Sequence, residues 1–502
     1  MAEQGDFSGA AATRAGQDGS PVSGAEANRL PPGGALATMA EQMAAFVVWS
    51  TYDELSERAR TALKIRVLDS LGCALGALEG ELSPLLRAQV TDFDGAPHCG
   101  LIGGGRTAPD RAAFYNGALV RYLDFNDGYL AKGETCHPSD NVAPVLAAAE
   151  YADADGRDFL TALAVAYQVQ CRLSDVAPVR DRGFDHTTQG SFAVAAGVSR
   201  ALGMDTRRTA NAIGICGTAF NALRVTRTGI LSNWKGLAYP NTAFSCVHAT
   251  FLAMRGITGP LEVFEGNKGF MDAIAGPFEI DWSHEDLERV TRTFLKKYNA
   301  ELHSQSTLEG ILELKEEYGL RASDVERVDI EIFDVAFKII GGGEEGDKTF
   351  VQTKEQADHS LQYMVAAALL DGQVMPEQYQ PGSILRPEVQ KLLRQVTVHP
   401  SVELSRRFPS EMPCRLTIHL QDGRVLKKEK TDYEGFYTRP MAWDRVVQKF
   451  ERLAGRYASP SLLKEIEQAI AGLERLKVSE LTNLLSRAGG DGRWAEQKAT
   501  EG

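Results

Sequence analysis

The sequence predicts a mainly α protein whose C-terminal half carries an α+β unit, and three patterns support that prediction. Apolar residues in the first half recur at three- and four-residue steps, as at Leu63, Val67, Leu68, Leu71 and Leu75, one face of an amphipathic helix. Past about residue 276 the period falls to two. Val328, Ile330 and Ile332 alternate with Asp329 and Glu331, and Leu416, Ile418 and Leu420 alternate with Thr417 and His419, as in half-buried strands. After Pro440 the helical period returns. Strand and helix do not alternate before residue 276, which argues against a doubly wound nucleotide fold.

Taken in order, residues 1–38 are rich in Gly, Ala, Ser and Pro without an apolar period, and are expected to be a disordered tail. They lack a secretory apolar core, and Glu3, Asp6, Asp18 and Glu26 count against a mitochondrial leader. From Met39 the pattern is helical to about 275. Small residues such as Gly72, Cys73, Ala74 and Gly76 let neighbouring helices approach closely. Further helices are expected near 107–123, 138–152, 157–175, 187–203, 206–222 and 238–255, with Gly156, Gly203 and Gly256 at three of the ends and Asp205 as an N-cap. Among the strands lie helical patterns at 303–317, 358–371 and 387–394, and Asp422-Gly423 signals a tight hairpin returning through Lys430. Helices follow near 441–455, 460–474 and 476–487, and residues 488–502 read as a polar tail.

The 502 residues hold 54 Lys and Arg against 67 Asp and Glu, a net charge of −13 that excludes a general nucleic-acid or anionic-membrane binder. No apolar run approaches the roughly 18 residues of a membrane span. Seven cysteines stand singly, at 73, 99, 136, 171, 216, 246 and 414. They read as reduced thiols of a cytoplasmic protein, with neither zinc nor iron–sulfur spacing, so no metal is expected. Gly103-Gly104-Gly105 and Gly341-Gly342-Gly343 match neither a dinucleotide fingerprint nor a P-loop, and G-x-S-x-G and H-E-x-x-H are absent.

Several segments could carry chemistry. Leu123-Asp124-Phe125-Asn126-Asp127 is followed by His137-Pro138-Ser139-Asp140-Asn141, across a loop holding Tyr129, Lys132, Glu134 and Cys136. Carboxylates ending one helix and a His opening the next can set an acid and a base across one pocket, although Ser139 or Asp140 could equally cap the helix. Gly183-Phe184-Asp185-His186-Thr187-Thr188-Gln189-Gly190 again places a His at a helix N-terminus, where N–H groups attract carboxylates. Lys235, in Trp234-Lys235-Gly236 with Arg224 and Arg227 upstream, opens a helix against the macrodipole, so it is either solvated or paired with an anion. Lys296-Lys297-Tyr298 and His303-Ser304-Gln305 lead into the α+β unit. In Ala357-Asp358-His359-Ser360, Asp358 is expected as an N-cap, and Tyr363 follows within the helix.

In this order, these segments resemble the MmgE/PrpD family, together with D-S-L-G-C-A at 69–74, F-E-G-N-K-G-F at 264–270, K-K-Y-N-A-E-L-H-S-Q-S at 296–306 and A-D-H-S-L-Q-Y-M at 357–364. The resemblance implies a large all-helical domain made of 39–275 and 436–487, with a smaller α+β lid domain, 276–435, inserted between them. It implies a homodimer without metal or organic cofactor, and a cleft between the domains that holds Asp124, His137, His186, Lys235 and Tyr363 as catalytic residues. Lys296 and His303 would bind substrate. The base-bearing position of the family's decarboxylases falls on Glu301, which favours the dehydratase branch. Gly128 replaces a hydroxyl residue of many relatives, which would remove a ligand hydrogen bond or admit a bulkier substrate. The expected activity is that of a cofactor-independent lyase dehydrating a citrate-like hydroxy polycarboxylate such as 2-methylcitrate. Asp124 would tune the nearer His, and the two histidines would divide the roles of base and acid. Decarboxylation of cis-aconitate or epimerisation of an iminodisuccinate-type acid on the same scaffold are the alternatives, and a non-catalytic helical assembly protein is a third.

Overall fold

A computed structural model describes residues 37–489 apart from 230 and 345, so the tails expected at 1–38 and 488–502 lie almost wholly outside the described residues. The mainly α architecture with a smaller α+β unit is the one the sequence predicts. Among the described residues, nine helices of ten residues or more fill the first half, from Met39–Trp49 to Trp234–Met254. Small side chains let them pack closely. Phe159, Tyr167, Phe192 and Tyr239 are among the largest fully buried groups. Asp205 caps Thr206–Ala219 by accepting from the Arg208 N–H, as expected.

Helix stops sooner than the pattern suggested. After Met254 the chain runs to Ser304 in turns, loops and helical segments of at most five residues. Phe264, Phe270 and Phe278 hold part of this stretch by edge contacts with centroids near 6.1 Å, and Phe264 and Phe270 belong to the helical core. Aromatic burial here replaces the regular hydrogen bonding that Gly256, Gly266, Gly269 and Gly276 interrupt.

The α+β unit has one four-stranded sheet. Val325–Ile332 pairs in parallel with Val396–Pro400 and antiparallel with Cys414–Leu420, which pairs antiparallel with Val425–Lys430. Register sets Ile330 against both Val398 and Leu416, so the two-residue period buries one face. Helices Gln305–Tyr318 and Leu361–Asp371 cover that face. The Val396–Pro400 strand was not foreseen: only Val396 and Val398 are apolar in it, too few to fix a period.

Two large hydrophobic cores result among the described residues. One gathers the helices up to Met254 with Trp443–Ala454, Pro460–Ala471 and Val478–Ser486; the other spans Phe294 to Phe436. All seven cysteines are free and buried, and no described helix is long and apolar enough to cross a membrane.

Candidate active site

A small cavity lies where the two cores meet. The helical side contributes Arg121, Asp124, His137, His186 and Lys235; the α+β side contributes Lys296, Glu301, His303 and His359. Six cations line it (Arg121, Arg180, Arg224, Arg227, Lys235, Lys296) against three carboxylates (Asp124, Glu134, Glu301).

Asp124 follows the helix Pro109–Tyr122 with φ +52, a conformation unusual for a residue with a Cβ and one that is held only where surroundings enforce it. The enforcing contacts are charged. Arg121 Nη1 lies 2.5 Å from Oδ1, Lys235 Nζ 3.3 Å from Oδ2, and Lys296 Nζ donates to Oδ1 at 3.0 Å and to the Asp124 carbonyl at 2.6 Å. Burial would raise this carboxyl, but Arg121, Lys296 and Lys235 override it and hold it well below the usual carboxylate range. The Arg121 partner was missed, although its i,i+3 spacing from Asp124 was readable.

The segment between Asp127 and His137, expected as a plain loop, is a short hairpin of Tyr129–Ala131 and Glu134–Cys136. It folds His137 back onto Asp127. The Asp127 carboxylate accepts from the Ser139 N–H at 3.0 Å and the Tyr167 hydroxyl at 2.9 Å, while the Asp127 carbonyl lies 2.7 Å from His137 Nδ1. Nδ1 therefore carries the proton and Nε2 the lone pair. The group orienting His137 is thus a backbone carbonyl, and the Asp124 carboxylate is occupied by cations instead. Burial, aided by Arg121 and Lys296, keeps the imidazole well below its ordinary 6.5.

His186 precedes the helix Thr187–Ala201, with its ring centroid 5.6 Å from that of His137. Its Nδ1 is 3.3 Å from Asp185 Oδ1, and its buried Nε2 makes no hydrogen bond among the described residues. Burial pushes this imidazole down to about 3, with Asp185 opposing and Arg227 assisting. Arg227 donates to Asp185 at 2.5 Å, and an antiparallel bridge between Phe184 and Leu223 brings the Arg224–Arg227 turn to this loop. Nearby Asp140, buried, is raised to about 7 by desolvation against the pull of Arg121 and Arg227.

Lys235 is buried, and its anionic partners come from within the chain: Asp124, and Asp358 Oδ1 at 3.3 Å. His359 Nδ1 lies 3.0 Å from the same ammonium and 2.6 Å from Asp358 Oδ1. Asp124, Asp358 and His359 are spaced as cation ligands, and the Lys235 ammonium is the cation they surround. Asp358 is therefore not the expected N-cap. Ser360 caps Leu361–Asp371 by accepting from the Tyr363 N–H at 3.0 Å, which frees Asp358 for Lys235 and Lys354. Sequence reasoning passed over His359 by assigning its neighbour to capping; Ser360, as good a cap, was the available signal.

On the far wall, the Glu301 carboxylate accepts from the His303 N–H at 2.8 Å and lies 2.8 Å from His303 Nδ1. Burial would raise Glu301, but His303, then His359 and Lys296, bring it down to about 2. The His303 ring packs beside Phe333 and Phe408, and its buried Nε2 has no hydrogen-bond partner among the described residues.

Tyr363 and Gly128 also depart from expectation. Tyr363 does not line the cavity: its hydroxyl donates to the Gln378 carbonyl inside the α+β core, because the helix Leu361–Asp371 buries that face. Gly128 leaves no room for a bulkier ligand either. Its N–H and carbonyl bridge Phe294 at 3.0 and 2.9 Å, and an added Cβ would stand 2.6 Å from the Phe294 ring. Glycine is required there by the close approach of the two chain segments.

Residues 41–283 match the MmgE/PrpD N-terminal domain and residues 298–475 the MmgE/PrpD C-terminal domain. Among relatives, a cis-aconitate decarboxylase of Mus musculus is 26% identical over 405 residues, covering 76% of this chain and 79% of the relative. A 2-methylcitrate dehydratase of Cupriavidus necator is 27% identical over 450 residues, covering 83% and 91%. That of Escherichia coli (strain K12) is 27% identical over 466 residues, covering 86% and 94%. With both of the family's domains matched in order along its length, this chain belongs to the MmgE/PrpD family.

Proposed function

We propose that the protein is a hydro-lyase that dehydrates a citrate-like hydroxy polycarboxylate, with 2-methylcitrate as the type substrate. The observation that carries this reading is a neutral imidazole, His137, with its lone pair on Nε2, in a cavity where cations outnumber carboxylates two to one. A proton next to a carboxylate becomes removable when the charge that develops on that carboxylate is neutralised. Arg121, Lys235 and Lys296 supply this neutralisation from buried positions.

In this reading His137 Nε2 takes the carbon-bound proton, the electron pair forms the double bond, and the hydroxyl leaves as water. The proton donor is better sought in Lys296 than in His186, because His186 is neutral near pH 7 whereas burial lowers Lys296 from its ordinary 10.5 and eases proton release. His186 then serves as a neutral hydrogen-bonding partner. These steps use only the chain's own groups. The homodimer belongs to the same proposal: Leu85, Phe93 and Trp234 stand exposed around an apolar groove beside the site, and a solution mass of one chain would remove it.

Decarboxylation of cis-aconitate is the second reading, since a relative bears that name. It needs an acid to protonate the carbanion, and Glu301, held ionised, is not that acid. A panel of citrate, 2-methylcitrate, cis-aconitate and tartrate decides the matter. An ultraviolet-absorbing unsaturated acid formed without gas supports dehydration, carbon dioxide release supports decarboxylation, and no reaction with any acid sinks both.

A further inference from the structure

Asp69, from the D-S-L-G-C-A run, touches nothing in the cavity, yet its partner reaches the backbone that builds it. Lys449 lies on Trp443–Ala454, which crosses Glu57–Gly76 where Gly72 leaves room: a Cβ there would stand 3.2 Å from the Phe450 Cα. The buried Lys449 ammonium lies 2.7 Å from Asp69 Oδ1 and donates to the carbonyls of Phe125 at 2.8 Å and Lys296 at 3.0 Å. It also sits 3.7 Å from the centroid of the Phe125 ring. Two of the ammonium's three N–H donors go to these carbonyls, and the Asp69 carboxylate balances its charge.

The two carbonyls are not arbitrary. Phe125 directly follows Asp124, and Lys296 is the residue whose side chain binds Asp124. The same two stretches are joined by the Gly128–Phe294 bridge. One ammonium, from a helix late in the chain, thus ties the helical-side and α+β-side backbones of the cavity together.

We propose that Lys449, held in place by Asp69, is a positioning residue that sets the Asp124–Lys296 pair in register across the cavity. This inference rests on the proposed cleft as the reaction site, and it gives the returning C-terminal helix a catalytic purpose. Misplacement of a reacting group by about 1 Å costs on the order of 100-fold in rate. The tie therefore acts on kcat more than on KM.

Two variants of the full chain test it, Lys449→Met and the double variant Asp69→Asn with Lys449→Met. The single variant leaves a buried carboxylate unpaired and loses thermal stability; the double variant removes both charges and regains much of it. In the double variant, hydrogen exchange should quicken over 124–128 and 294–298 while 57–76 and 443–454 keep their protection. On whichever acid of the panel reacts, kcat should fall about 100-fold. A folded double variant with wild-type exchange in both stretches overturns the proposal, with or without a known substrate. So does faster exchange with unchanged kcat, which would make the tie purely structural. If the wild type reacts with none of the acids, the functional reading fails and the exchange result alone decides the tie.

Discussion

Replacing His137 by Ala tests the chemical reading most directly. The imidazole is 6% exposed, its Nδ1 is committed to the Asp127 carbonyl at 2.7 Å, and only Nε2 is left to accept a proton. A positioned general base contributes about 10²- to 10⁴-fold, so the variant should lose about 3–5 kcal/mol of barrier lowering. Stability should suffer less. The Asp127 carbonyl loses one donor, which costs about 1–3 kcal/mol when buried, and the cavity beside it lets water take the donor's place. Turnover is read from the ultraviolet absorbance of the unsaturated product, with evolved gas in parallel and thermal unfolding as the control for folding. The wild-type pH profile is part of the same prediction. Because the folded protein holds His137 well below 6.5, the base stays neutral as pH falls through 6.5, and kcat/KM should keep its plateau there. A folded His137→Ala protein with wild-type turnover refutes the assignment. A profile whose acid limb has its midpoint at or above 6.5 refutes the electrostatic argument.

Three further outcomes follow from the same geometry. Glu301 is lowered from 4.5 to about 2 in the folded state, so it contributes about 3 kcal/mol above pH 4.5 that drains away as pH falls toward 2. In urea titrations the stability gap between wild type and Glu301→Gln should be widest at neutral pH and narrow by pH 3; a gap independent of pH counts against it. Gly128→Ala drives a Cβ into the Phe294 ring and should cost about 1–3 kcal/mol with a lower melting temperature, whereas a neutral result would mean that this joint is loose. Tyr363→Phe removes a hydroxyl bound to the Gln378 carbonyl, so about 1 kcal/mol of stability should go while turnover stays within a few-fold; a loss above 100-fold would return Tyr363 to the site.

Much of the fold was legible because periodicity is a local property. The three-and-four-residue step of Leu63 to Leu75 and the alternation around Ile330 and Ile418 each report which face is buried, and burial selects helix or strand. The stretch from 255 to 304 was not legible, since its order comes from Phe264, Phe270 and Phe278 meeting in space and no period records it. At the site, Asp124, His137, His186, Lys235 and Lys296 were nameable as polar residues at helix junctions and by family resemblance, and the fold brings all five to one cavity. His303 lines the same cavity, but pairs with Glu301 and packs against aromatic rings. Tyr363 was misjudged because the facing of one residue within an apolar helix depends on what packs around it.

By itself, then, the sequence determined most of the element types, the mainly α class with its α+β unit, and a set of charged and imidazole side chains at junctions. Only the tertiary structure decided how those charges are shared. Asp124 is drawn in sequence with Asp127 and His137, yet its partners are Arg121, Lys235 and Lys296, the last two 111 and 172 residues away. A net charge of −13 is compatible with a cationic cavity for the same reason. Coulomb energy depends on distance and burial, and both are fixed only when separate chain segments are packed against one another.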